Sequence, residues 1–99
     1  MNLNLNYEGF EKYLVNTVDI RFGGGGRRYE FKFDNSYGAT VLKHAYSCGS
    51  DGELWIVCVV RWLDNYYEAL DGDSILGTYI IKDLTNEDVR NLLQRIKDL

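Results

Sequence analysis

The chain has 99 residues, of which 45% are hydrophobic and 26% charged, and a net charge of −4. That length suits one domain spanning residues 1–99, and an aromatic content of 14% argues against a disordered chain. Two cysteines, Cys48 and Cys58, are too few for a disulfide framework and point to a reducing cytoplasm, and neither a run of roughly 20 apolar residues nor a basic and apolar leader directs the chain to a membrane.

Residues 6–16 carry Tyr7, Phe10, Tyr13 and Leu14 at three- and four-residue spacing, which predicts an N-terminal helix started by Asn6 and weakened by Gly9. The period then becomes two. Val18-Asp19-Ile20-Arg21-Phe22 and Tyr29-Glu30-Phe31-Lys32-Phe33 alternate apolar and charged residues, predicting two strands joined by the Gly23–Gly26 loop. After the turn at Asp34–Gly38, residues 39–46 predict a third strand, and Cys48–Gly52 a further turn.

Residues 54–62 give the clearest strand pattern. Both faces are apolar, with Leu54, Ile56, Cys58, Val60 and Trp62 on one and Trp55, Val57 and Val59 on the other. Such a strand belongs at the centre of a sheet covered twice, or it offers one face to a partner, including a second copy in a homodimer. Tyr66–Leu70 predicts a short strand, Asp71-Gly72-Asp73 a turn, and residues 75–81 an edge strand. Thr85 followed three residues later by Asp88 resembles a capping box, and Val89, Leu92, Leu93 and Ile96 follow at helical spacing, which predicts a helix over 85–98. The expected fold class is α+β: an antiparallel sheet of four to five strands with an N-terminal helix and a capped C-terminal helix.

No chemistry-bearing motif is complete. The tetraglycine with Arg27 and Arg28 leads into a strand, whereas a phosphate-binding loop leads into a helix through Gly-Lys-Ser/Thr. His44 and the two cysteines lack the paired spacing of a zinc site. Asp71-Gly72-Asp73-Ser74 lacks the remaining ligands of a calcium loop. The residues point to no catalytic set, no metal and no cofactor.

Charge is unevenly spread. Residues 64–88 hold Asp64, Glu68, Asp71, Asp73, Asp83, Glu87 and Asp88 against Lys82 alone, a regional charge of −6, while residues 1–63 balance. Such a field attracts cationic partners and repels nucleic acid. Within it, Asp64, Tyr66, Tyr67, Glu68, Asp71 and Asp73 interleave acids with aromatic contact area, which marks them as candidate partner-binding residues. The competing surface is a basic finger of Arg21, Arg27, Arg28 and Lys32, which suits a phosphate backbone.

From Tyr37 onward the chain resembles a group of small proteins encoded by bacteriophages and prophages. The residues carrying the resemblance are Tyr37-Gly38-Ala39-Thr40-Val41, His44-Ala45-Tyr46-Ser47, Gly52-Glu53-Leu54-Trp55, and Asp73-Ser74-Ile75-Leu76-Gly77 with Leu84-Thr85-Asn86-Glu87-Asp88-Val89. The resemblance carries no catalytic residues. By analogy of class it implies a non-enzymatic, anti-CRISPR-like inhibitor that binds a host protein in the bacterial cytoplasm, with a CRISPR effector nuclease as a candidate. The alternative is a nucleic-acid-associated phage accessory protein using the basic finger.

Overall fold

The computed structural model describes residues 2–44, 54–69 and 80–99. Its elements are a 3-10 turn at Glu11–Tyr13, strands β1 (Leu14–Ile20), β2 (Gly26–Lys32), β3 (Tyr37–His44), β4 (Trp55–Leu63), β5 (Tyr66–Ala69) and β6 (Ile80–Leu84), and helix α1 (Asn86–Lys97). All strand pairings are antiparallel, in the order β1-β2-β3-β4-β5, with β6 also on β4. The Cys48–Gly52 turn, residues 45–46 of the third expected strand, Leu70, the Asp71–Asp73 turn and residues 75–79 of the expected edge strand lie outside the described residues.

The expected N-terminal helix is absent, which overturns the α+β assignment with helices at both ends. Among the described residues the fold is instead a mainly antiparallel six-stranded sheet with one C-terminal helix. The cause is local. Gly9 has φ +93, which no right-handed helix tolerates, and the backbone makes only i→i+3 bonds, from Phe10 N to Tyr7 O and from Tyr13 N to Phe10 O. The β-branched Thr17 and Val18 then pair with β2, after a bulge at Val15. The aromatic spacing still marks an inward-facing side: Phe10 and Tyr13 are buried, and both meet Phe33 edge-on.

One face of the sheet holds the core. Tyr29, Phe31, Ala39, Val41, Trp55, Val57 and Val59 lie beneath Val89, Leu92, Leu93 and Ile96 of α1. Burial of each large side chain contributes about 1.5–3 kcal/mol. Thr85 caps the helix as the sequence suggested: its hydroxyl accepts from Asp88 N and the Asp88 carboxylate accepts from Thr85 N. The far end is held from the β2–β3 turn, where the Asn35 side-chain amide donates to the carbonyls of Ile96, Lys97 and Leu99. Residues 2–6 run along the same side: the Tyr29 hydroxyl donates to Leu3 O and accepts from Leu5 N, and Asn6 N donates to the Asn86 side chain.

The other face is concave. Flat, β2 and β5 would stand about 14 Å apart, three ladder spacings. Yet the Tyr67 hydroxyl on β5 reaches the Glu30 carboxylate on β2 at 2.6 Å, and Lys32 Nζ on β2 reaches Asp64 O beyond β4 at 2.9 Å. The sheet therefore curls into a half-barrel around this face. Trp62 fills the bend, its indole donating to Phe31 O at 2.9 Å across Gly38. A Cβ at Gly38 would overlap the Phe31 carbonyl oxygen and lie 2.6 Å from Trp62 Nε1.

Two substitutions separate these constraints. Gly38→Ala is expected to cost about 3 kcal/mol by displacing Trp62, and Thr85→Ala about 1 kcal/mol by removing the cap. Urea unfolding midpoints with an unchanged m-value check both, and equal, small shifts would contradict this account.

Candidate functional site

The acidic, tyrosine-bearing segment begins as a hairpin. Leu63 pairs with Tyr66 across a two-residue turn at Asp64 and Asn65, with Asp64 in the left-handed region at φ 60, which aspartate tolerates better than most residues. Strand alternation then separates the two adjacent tyrosines. Tyr67 stands opposite Trp62 on the concave face, whereas Tyr66 and Glu68 stand opposite Leu63 and Arg61 on the helix-bearing side. Asp64, Tyr66 and Glu68 are exposed, Tyr66 by 61%, and Tyr67 is half-buried. Asp71 and Asp73 lie outside the described residues. The proposed set is thus split: three residues face solvent, and one is tied back to the sheet.

That tie ends on Glu30, a residue the sequence reading did not single out. Alternation placed it only on one side of a strand, and nothing local marked it as buried. It is 5% exposed. Its Oε1 accepts from Asn16 Nδ2 at 3.0 Å, and its Oε2 accepts from the Tyr67 hydroxyl. Arg28 Nε lies 3.3 Å from Oε2 without hydrogen-bond alignment, so that contact is one of charge. Burial and the adjacent carboxylate push the Tyr67 phenol up to about 12.

Around Glu30 the concave face holds an open cavity of about 340 Å³. Strand β1 supplies Val15 and Asn16, β2 supplies Glu30 and Lys32, and Trp62, Asp64 and Asn65 close it from β4 and its turn. Lys32 Nζ stands 5.6 Å from the Trp62 ring centroid.

The basic finger is not a free cationic surface. Arg27 Nε binds Asp19 Oδ1 at 2.8 Å, Arg28 lies against Glu30, and Lys32 is held by Asp64 O and Trp62. Arg27 and Arg28 face opposite sides of the sheet, as neighbours in a strand must. Of the four, Arg21 and Lys32 are exposed, Arg21 at the hairpin end. The glycines serve a turn closed by Gly25 N on Phe22 O, with φ of 60, 86 and 86 at Gly23, Gly24 and Gly25. Phe22, 74% exposed, sits beside His44, whose Nε2 is 2.9 Å from Phe22 O. Burial pushes the Cys58 thiol up, opposite to the direction that activates a nucleophile. Among the described residues, no group of three or more His, Cys, Asp or Glu side chains is placed to hold a metal ion, and no helix is long and apolar enough to cross a membrane.

The Tyr67–Glu30 contact sets a pH dependence. A phenol at about 10 when unfolded and about 12 when folded binds its proton more tightly in the folded state. Its stabilising contribution is therefore complete below pH 10 and is lost as pH rises through 12. Urea midpoints measured from pH 9 upward are expected to fall more steeply in the wild type than in Tyr67→Phe. Parallel curves would show that the phenol is not held as described.

No known protein family, curated protein or solved structure matches the chain.

Proposed function

We propose that this chain is a non-catalytic, phage-type binding protein that blocks a host protein in the bacterial cytoplasm, docking on a basic surface through the β4–β5 hairpin. A CRISPR effector nuclease, whose nucleic-acid channel is lined with cations, is the specific candidate. The observation that carries this reading is the contrast between the two charged surfaces. The cations of the β1–β2 finger are mostly engaged within the chain, whereas Asp64, Tyr66 and Glu68 stand exposed on a hairpin braced from behind by Tyr67 and Trp62.

Tyr66, on a strand whose neighbour Tyr67 is tied back, is a good anchor, because a tyrosine has few side-chain torsions to lose on binding. Arg61 stands opposite Glu68 and offsets part of its charge. The other acids of the region stand apart from the hairpin: β5 and β6 occupy the same edge of β4, but β6 pairs at the Trp55–Cys58 end and the hairpin at the Val60–Leu63 end, so Asp83, Glu87 and Asp88 add only to the field of that edge as a whole. Such a field favours rapid encounter with a cationic groove, an advantage that salt diminishes.

Binding to a Cas effector nuclease, followed by calorimetry, tests the assignment. Tyr66→Ala is expected to cost about 2 kcal/mol, and joint charge reversal at Asp64, Glu68, Asp71 and Asp73 to slow association steeply at low salt. Affinity and association rate unchanged in both variants would remove the hairpin from the interface.

A further inference from the structure

Glu30 is an expensive residue to place where it is. A carboxylate withdrawn from water costs several kcal/mol even when paired, and an apolar side chain of similar volume often serves a fold as well. Its partners do not exhaust it. Oε2 takes the Tyr67 hydroxyl and faces Arg28, but among the described residues Oε1 takes Asn16 alone, and a carboxylate oxygen accepts two donors. Glu30 also lines the cavity of about 340 Å³, together with Trp62 and Asp64.

That cavity already holds a cation. Lys32 Nζ lies 5.6 Å from the Trp62 ring centroid and donates to Asp64 O at 2.9 Å. Lys32 is exposed, and an exposed cation–π contact is worth only about 0.5–1 kcal/mol, so the side chain is readily displaced. With Lys32 swung out, the charged residues left in the lining are Glu30 and Asp64, and Arg28, outside the lining, lies against Glu30. The vacated space is then net negative and unfavourable to an anion.

We propose that the Glu30–Trp62 cavity is an anchoring pocket for an arginine side chain of the partner, and that Lys32 is its internal stand-in. The guanidinium lies over Trp62 and shares its donors between Glu30 Oε1 and Asp64 O. Its planar fork and weak hydration suit an aromatic floor beside a buried carboxylate better than an ammonium does. This inference rests on the reading of the chain as a binder of a basic protein surface. It supplies that reading with a specific contact, since the turn residue Asp64 belongs to both the pocket and the exposed hairpin.

The test uses agmatine, which joins a guanidinium to an ammonium, titrated into the full ¹⁵N-labelled chain at constant ionic strength, with 1,4-diaminobutane as the control that lacks the guanidinium. The two tryptophans report separately, because Trp62 lines the pocket and Trp55 is buried on the helix side. A saturable shift of the Trp62 indole N–H is expected, with a midpoint of about 1–10 mM and Trp55 unmoved. Lys32→Met is expected to tighten agmatine about three- to fivefold by removing the competing cation, and Glu30→Gln to weaken it at least as much.

Absence of a saturable Trp62 shift, equal movement of both indoles, or weaker binding in Lys32→Met would overturn the pocket. The Lys32 variant carries the test if Glu30→Gln does not fold. Agmatine binding without nuclease binding would leave the pocket standing and remove the proposed target. Nuclease binding indifferent to Glu30→Gln, with no agmatine site, would do the reverse.

Discussion

Glu30 lies almost wholly out of water on the concave face of the sheet, and the groups that make this tolerable come from three strands. Asn16 reaches it from β1, Arg28 from its own strand, and Tyr67 from β5, three ladder positions away. A buried carboxylate left without donors costs more than most single contacts return. Flattening the sheet would withdraw the Tyr67 hydroxyl and leave Glu30 short of a donor. The curl of the half-barrel and the burial of this one charge are therefore a single constraint. The seat of Trp62 over Gly38 and the position of the Asp64 turn follow from it.

The two faces of β4 solve different problems. Trp55, Val57 and Val59 are sealed by α1, with the aromatics of the N-terminal segment alongside. On the reverse, Val60 and Trp62 are buried by curvature, while Ile56 and Cys58 are half-buried. Among the described residues one α-helix covers the sheet. Bending the sheet on itself shields part of the second face at the cost of placing polar groups there, and those groups are the ones that make a polar pocket.

Local pattern was informative where local forces decide. Alternation located β2, β3 and β4 to within a few residues, and the Thr85–Asp88 spacing marked a cap whose reciprocal bonds are both present. It misled at residues 6–16, because a spacing of three between Tyr7, Phe10 and Tyr13 serves successive tight turns as well as a helix, and Gly9 decides between them through its backbone. Pairing of Tyr67 with Glu30, 37 residues apart, has no sequence signal, since it depends on how far the sheet curls. The arginine finger misled similarly. Consecutive cations look like a patch in sequence, but a strand sends them to opposite faces, where Asp19 across the ladder engages Arg27 and Glu30 on the same strand engages Arg28.

Helix α1, with 12 residues, is too short to persist alone in water. Both of its ends are tied to distant parts of the chain: Asn86 at its start to Asn6, and its final carbonyls to Asn35 in the β2–β3 turn. Fraying from either end thus releases the N-terminal strap or loosens a sheet turn, and exposes the same aromatic layer. The helix and the sheet beneath it form one cooperative unit, in which amide protection along α1 reports global opening of the domain rather than a local melting of its last element.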